Sequence, residues 1–98
     1  MRDVVVFSGN AHTALATSIC DHLGVTLSDT AISRFSNDCL QAQLLANCRQ
    51  RDVYIVQPLV PPTQDSLMEL LLMIDAARGA SASQITAVIP HFAYARSD

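Results

Sequence analysis

The chain has 98 residues, which is enough for one small domain or for part of a larger one. Half of the residues are hydrophobic and 15% are charged. This composition excludes an intrinsically disordered chain, which combines low hydrophobicity with high net charge. Nine acidic and six basic residues give a net charge of −3. That balance argues against a broad electrostatic surface for nucleic acid but leaves room for local arginines that bind a small phosphate ligand.

Cysteine usage and hydropathy indicate the compartment. Cys20, Cys39 and Cys48 are an odd set without CxxC spacing, which fits reduced thiols in a cytosolic protein. Apolar runs are far shorter than the ~20 residues of a transmembrane helix. The N-terminus leads directly into a strand-like stretch rather than into a signal-peptide core. We therefore expect a cytoplasmic protein with no membrane partner.

The first 24 residues predict a strand followed by a helix. Residues 4–7 form an unbroken apolar run, typical of a strand that is covered on both faces. Residues 11–23 then take helical periodicity, with apolar side chains every four positions. Asn10 is the expected N-cap and Gly24 the expected left-handed C-cap. This is the first half of a βαβ unit.

A hairpin and a second buried strand are predicted next. Residues 30–46 contain two strand-like segments around a polar break at 36–38, and the second segment alternates apolar and polar residues. We interpret 30–46 as a β-hairpin with an exposed turn. Residues 53–56 form another apolar run, typical of a buried strand.

The next predicted helix spans residues 65–79 and is apolar on nearly every side. Ser66 and Glu69 have the spacing of a capping box at its start, and Gly79 marks its end. Such a helix needs cover on two sides, one from the sheet and one from another surface. A third buried strand is expected at 85–89.

Alternating strands and helices predict an α/β fold with a mainly parallel sheet, comprising residues 1–98 as one domain. In such sheets, ligands bind beyond the carboxyl ends of the strands. Those ends lie at residues 8–10, 57–58 and 90–96. The candidate functional residues should therefore gather at that edge.

Five segments in register carry a family resemblance. They read FSGN at 7–10, RFSN at 34–37, DVYIVQ at 52–57, LMEL at 67–70 and ITAVIPHFAYAR at 85–96. Together they resemble ribose-phosphate pyrophosphokinase, also called PRPP synthetase, over essentially the whole chain. The resemblance implies a phosphoribosyltransferase-like fold with a protruding β-hairpin. It also implies that residues 1–98 are most of the N-terminal domain of a two-domain enzyme.

The resemblance also implies an activity. Members of this family transfer the diphosphoryl group of Mg-ATP to ribose 5-phosphate, which makes PRPP for nucleotide biosynthesis. The catalytic loop, the phosphate loops and the Mg²⁺ ligands of the family lie beyond residue 98. The chain is therefore expected to contribute part of the ATP site and subunit contacts, within a dimer or hexamer, and to be inactive alone.

The family hairpin that completes a neighbouring subunit's adenine pocket matches residues 35–39. Phe35 can stack on adenine, and the Asn37 amide can both donate to and accept from its Watson–Crick edge. The family glutamate is Cys39 here, and a thiol is a weak hydrogen-bonding group. Asp38 precedes it, although neighbouring strand residues point to opposite faces. We expect weakened or altered adenine recognition.

Arg96 matches the family arginine that meets the ATP phosphates, because a guanidinium can bind two phosphate oxygens at once. The glutamine that commonly follows is Ser97 here. Asn47, Arg49 and Ser81 match positions of a regulatory anion site between subunits in members with allosteric control.

Two other interpretations stay open at this point. One is a catalytically silent PRPP-synthetase homologue that regulates or oligomerises with active subunits, a reading favoured by Cys39 and Ser97. The other is a generic α/β oligomerisation module. His12, His22 and His91 lack the spacing of a metal site, and Cys20 and Cys48 are expected to be inert. The apolar 65–79 helix predicts self-association.

Overall fold

A computed structural model describes residues 4–34, 40–60 and 63–90 of the chain. Strands and helices alternate, which confirms the predicted α/β class. In chain order, the elements are β1 (Val4–Ser8), α1 (Thr13–Leu23), β2 (Thr30–Arg34), β3 (Leu40–Leu44), β4 (Asp52–Val56), α2 (Thr63–Gly79) and β5 (Gln84–Val88).

Three of these strands form a parallel sheet in the order β1-β4-β5. Val5 pairs with Val53 and Val53 with Ile85, so that all three strands end at the same edge. On the other side of β1, Val6 makes an isolated parallel bridge to Leu27. After β1, the chain thus reaches Leu27 on one side of β1, and β4 lies on the other side. The boundary between β1 and β4 is therefore a topological switch point.

The two faces of the sheet are packed unequally. Side chains alternate between the faces, so Phe7 and Ile55 join Met73 of α2 in the larger buried core. Val6 and Val56 join α1 in a smaller cluster. On the α1 side, an apolar cleft of about 360 Å³ remains open between helix and sheet, and its lining residues are Val4, Val6, Ile19, Leu23, Val25, Tyr54, Val56 and Val88.

Strand β5 differs from the prediction of a third buried strand. Thr86 and Ala87 are exposed, and Ile85 and Val88 are only half-buried. The physical reason is its place at the free edge of the sheet as the structure describes it, where only β4 pairs with it.

Helix α1 begins two residues later than predicted, and its N-cap is His12 rather than Asn10. The Nδ1 atom of His12 accepts a hydrogen bond from the Leu15 N–H at 3.1 Å. The predicted C-cap is confirmed: Gly24 has φ 74°, and its N–H donates to the Asp21 carbonyl. Glycine adopts this left-handed conformation without the strain that a Cβ imposes.

Helix α2 begins at Thr63, so the predicted capping box is wrong. Ser66 already lies within the first turn, and its hydroxyl donates to the Val60 carbonyl at 3.0 Å. Of the predicted apolar surface, Leu70 and Met73 are buried, whereas Met68 and Leu71 are about half exposed, at 47% and 50%.

The predicted hairpin is confirmed as an antiparallel pair, with Ile32 opposite Ala42. Alternate hairpin residues, including Ile32, Ala42 and Leu44, pack against the larger core. Exposed Gln41 and Gln43 occupy the other face, as the alternating pattern predicts. The hairpin therefore supplies part of the second cover that α2 requires. In the described part of the chain, no helix is long and apolar enough to cross a membrane.

Candidate functional site

The carboxyl edge of the parallel sheet carries a network of buried polar groups. Gln57 follows β4 and is completely buried. Its Nε2 donates to the Ser66 carbonyl at 3.2 Å and to Glu69 Oε1 at 3.0 Å, while its Oε1 accepts from the Ala11 N–H at 3.1 Å. Both amide protons and the amide oxygen thus have partners, which is what burial of an amide side chain requires.

Glycine is required at position 9 because of this network. A Cβ built on Gly9 would lie 2.3–2.5 Å from the Gln57 amide atoms. The Gly9 N–H donates to the Val56 carbonyl at 3.1 Å, which continues the pairing of β1 with β4 by one residue. The β1–α1 turn, which we define as residues 9–12, therefore packs directly on the end of β4.

Glu69 closes the network from α2. Its Oε1 accepts from the Asn10 backbone N–H at 3.0 Å as well as from Gln57. The half-buried carboxylate thus connects the second turn of α2 with the β1–α1 turn, 59 residues away along the chain. Sequence reasoning assigned Glu69 to a local cap and missed this contact. In the sequence, the signal for this contact was Gly9 directly after β1 together with Gln57, a polar residue directly after the apolar run of β4.

An ion pair connects the hairpin to the N-terminal end of α2. Arg34, the last residue of β2, places its guanidinium 3.6 Å from the Asp65 carboxylate, with both side chains about half exposed. At this exposure the ion pair contributes about 1 kcal/mol or less to stability, so packing of the strands, not this pair, holds the hairpin.

The predicted ATP-contacting residues lie outside the described ranges. Phe35, Asn37, Asp38 and Cys39 belong to the segment between β2 and β3. Arg96 and Ser97, as well as His91, lie beyond residue 90. For these positions, the described structure provides only the flanking elements.

The predicted anion-site residues lie at the opposite, amino-terminal edge of the sheet, where the structure brings their two segments together. The Gln50 N–H donates to the Ser81 carbonyl at 2.8 Å. Asn47 Oδ1 accepts from the Arg49 N–H at 3.1 Å. The side chains of Asn47, Arg49 and Ser81 are exposed. The loop before β4 and the loop before β5 thus form one surface.

Two residues on that surface have left-handed backbones without being glycine: Gln50 at φ 59° and Ser81 at φ 65°. Ser81 lies two residues after the end of α2. Its N–H donates to the Arg78 carbonyl, and the Ala82 N–H donates to the Ala77 carbonyl. This is the bond pattern in which glycine is usual, and a Cβ there adds strain.

The two described cysteines, Cys20 and Cys48, are buried thiols without a disulfide partner. Burial raises the pKa of both thiols; Asp21 adds to the rise at Cys20, and Arg51 partly offsets it at Cys48. A raised pKa lowers the thiolate fraction, and the thiolate is the reactive form. Among residues 4–34, 40–60 and 63–90, no three His, Cys, Asp or Glu side chains are placed to hold a metal ion.

Comparison with known proteins gives one consistent result. Residues 4–98 match the family described as the N-terminal domain of ribose phosphate pyrophosphokinase. A Streptomyces coelicolor protein named for this enzyme is 65% identical over all 98 residues, and the ribose-phosphate pyrophosphokinase of Vibrio parahaemolyticus is 51% identical. The chain spans 31% of the length of either relative.

A solved structure agrees with the sequence comparisons. The phosphoribosylpyrophosphate synthetase of Mycobacterium smegmatis superposes with a TM-score of 0.90, at 33% identity, over 97% of this chain and 32% of its own. The phosphoribosyltransferase-like fold predicted from the resemblance is therefore confirmed. By its sequence from residue 4 to residue 98 and by its fold, the chain belongs to the N-terminal domain family of ribose-phosphate pyrophosphokinase.

Proposed function

We propose that the chain is the N-terminal segment of a ribose-phosphate diphosphokinase, which transfers diphosphate from Mg-ATP to ribose 5-phosphate and makes PRPP for nucleotide biosynthesis. The observation that carries the proposal is the match of residues 4–98 to the family, supported by a relative of 65% identity. In this role the segment contributes part of the ATP site and contacts between subunits of a homo-oligomer.

The edge geometry supports an ATP role for Arg96 and Ser97. Strand β5 ends at Val88, in register with the end of β4 at Val56, so residues 89 and 90 follow at the carboxyl edge. Ligands of parallel sheets bind at this edge. A guanidinium there would bind two phosphate oxygens, and the Ser97 hydroxyl would donate to a third.

The hairpin supports a second contribution to ATP binding. Arg34 of β2 pairs with Leu40 of β3, and residues 35–39 connect these two positions in the sequence. There, Phe35 would stack on adenine, while Asn37 and Asp38 would bond its edge, in the pocket of a neighbouring subunit. Cys39 replaces the family carboxylate, which predicts weaker adenine binding.

Asn47, Arg49 and Ser81 are proposed as a regulatory anion site. The hydrogen bond between Gln50 and Ser81 keeps their two loops together, and all three side chains are exposed. Arg49 would supply the charge and Asn47 and Ser81 the neutral donors for an anion.

Mg²⁺ is the cofactor that the family activity implies. Among the described residues, no group of three His, Cys, Asp or Glu side chains is placed to hold a metal ion. We therefore assign them no step through the metal, and propose that Mg²⁺ is held by the ATP phosphates and by the downstream part of the enzyme.

The activity is tested in the full-length protein that contains this chain, by following AMP and PRPP formation from ATP and ribose 5-phosphate. Arg96→Ala should lower kcat/KM by roughly a hundredfold, because a charge-assisted contact to phosphate is lost. Arg78→Ala, an exposed arginine near the end of α2, is the matched control and should leave kcat/KM within about twofold. Equal effects of the two changes would contradict the assignment.

The alternative is a silent homologue that regulates active subunits, and the observations that favour it are Cys39 and Ser97. Cys39→Glu restores the family residue and should lower KM for ATP if the protein is an enzyme. A full-length protein that forms no PRPP, but changes the activity of a catalytic relative when mixed with it, would establish the alternative.

Self-association is proposed from the exposed side of α2. Met68 and Leu71 lie three residues apart on one helix face and are both about half exposed. Leu45 adds a third exposed apolar side chain. Replacement of Met68 and Leu71 by serine should weaken the oligomer seen by sedimentation velocity; an unchanged oligomer would exclude this face as the contact.

A further inference from the structure

The β1–α1 turn has no backbone donors left for a ligand at three successive positions. The N–H of Gly9 donates to Val56, the N–H of Asn10 to Glu69, and the N–H of Ala11 to Gln57, at 3.0–3.1 Å. Each of these bonds is made within the chain itself. These three N–H groups are therefore satisfied before any ligand arrives.

This arrangement reverses the usual use of such a turn. In parallel sheets with a switch point, the N–H groups after the first strand commonly bind a phosphate of the nucleotide. Here one oxygen of the Glu69 carboxylate accepts from the Asn10 N–H at that place. An anionic side chain thus occupies a position that a phosphate oxygen would otherwise take.

The carboxylate is held there by a rigid partner. Glu69 Oε1 also accepts from Gln57 Nε2 at 3.0 Å, and Gln57 is completely buried, with its second amide proton on the Ser66 carbonyl. Gly9 packs so close to the same amide that a Cβ at this position would lie 2.3–2.5 Å from its atoms. The position of Glu69 is therefore set by the core, not by solvent.

We infer that Glu69 is an internal anion and a positioning residue: its carboxylate takes the place of a substrate phosphate at the Asn10 N–H, closes residues 9–11 of the turn to phosphate, and fixes them as a preformed wall of the ligand-binding edge. The inference rests on the proposed function only in naming the substrate as a nucleotide. Its consequence is that the ATP phosphates bind elsewhere on that edge.

The test is amide hydrogen exchange at Asn10 and Ala11 in the full-length protein, with inorganic phosphate and then Mg-ATP as probes. In the wild type, the exchange of both amides should be slow and unchanged by either probe. Glu69→Ala should speed Asn10 exchange about tenfold or more, because a bond to a charged acceptor is lost. Glu69→Gln keeps an acceptor oxygen and should remain near the wild type.

Phosphate supplies the decisive arm of the test. In Glu69→Ala, added phosphate should slow Asn10 exchange again, since the anion fills the vacated place. Asp75→Ala removes an exposed carboxylate from the same helix and should change neither this exchange nor its response to phosphate. Phosphate-dependent protection of Asn10 in the wild type, or unaltered exchange in Glu69→Ala, would overturn the inference.

The two proposals fail separately. Absence of PRPP formation by the wild type would contradict the proposed function and leave the exchange results standing. If Glu69→Ala fails to fold, the wild-type and Glu69→Gln arms still decide the inference, because an open turn would respond to phosphate in both.

Discussion

At both edges of the parallel sheet, the backbone follows a tight path beside a strand end. The two edges differ in what stabilises that path. At the carboxyl edge, the crowded position is a glycine, Gly9, and side chains of Gln57 and Glu69 supply the hydrogen bonds. At the amino edge, the left-handed positions are Gln50 and Ser81, and the backbone itself supplies the bond between them. Rigidity therefore resides in side chains at one edge and in a strained backbone at the other.

The largest expected effect on stability comes from a substitution at the carboxyl edge. Gly9→Ala forces a Cβ into the Gln57 amide, which cannot move without losing its buried partners. We expect a loss of about 3–4 kcal/mol in the free energy of unfolding, measured by urea denaturation. Gly79→Ala is the matched control, since nothing lies within 4 Å of its added Cβ, and it should stabilise the helix by about 0.5–1 kcal/mol.

The second prediction removes the hydrogen bonds without adding bulk. Gln57→Leu retains much of the side-chain volume but leaves the Ala11 N–H and the Ser66 carbonyl without their partner. The free energy of unfolding should fall by about 2–3 kcal/mol. Gln43→Leu, at an exposed site on β3, should change it by about 0.5 kcal/mol or less. Similar values for both variants would show that the network contributes little.

The third prediction concerns substitutions that remove backbone strain at the amino edge. Gln50→Gly and Ser81→Gly remove a Cβ from left-handed positions, and each should raise the free energy of unfolding by about 0.5–1 kcal/mol. Gln50→Ala keeps the Cβ and should give no gain. A loss of stability in both glycine variants would mean that the side chains, not the backbone, determine these conformations.

The smallest expected effect concerns the buried thiols. Burial raises the pKa of Cys20 and Cys48, so the unfolded chain loses these protons at lower pH than the folded chain. Stability from this source is complete below the unfolded pKa and is lost as the pH rises through the folded pKa. Between about pH 8 and about pH 10, Cys48→Ala should show a smaller fall in unfolding free energy than the wild type. Equal slopes would contradict the direction of the shift.

Local pattern was a good guide to the elements and a poor guide to their ends. The apolar runs, the helical period and the alternation in β3 predicted every strand and helix that the structure describes. The N-cap is His12 rather than Asn10, and α2 begins before Ser66. The Ser66 hydroxyl bonds to Val60, which precedes the helix, and Glu69 bonds to Asn10, 59 residues away. A capping box and a long-range network use the same residue types, so spacing alone does not separate them.

Sequence by itself determined the α/β class, the family and the edge at which ligands are expected, because periodicity and motif order are properties of the linear chain. Only the tertiary structure decided that Gly9, Gln57 and Glu69 act together, and that the loops of Gln50 and Ser81 meet. These contacts join residues that are tens of positions apart. Their partners are chosen by sheet register and helix placement, which no local pattern contains.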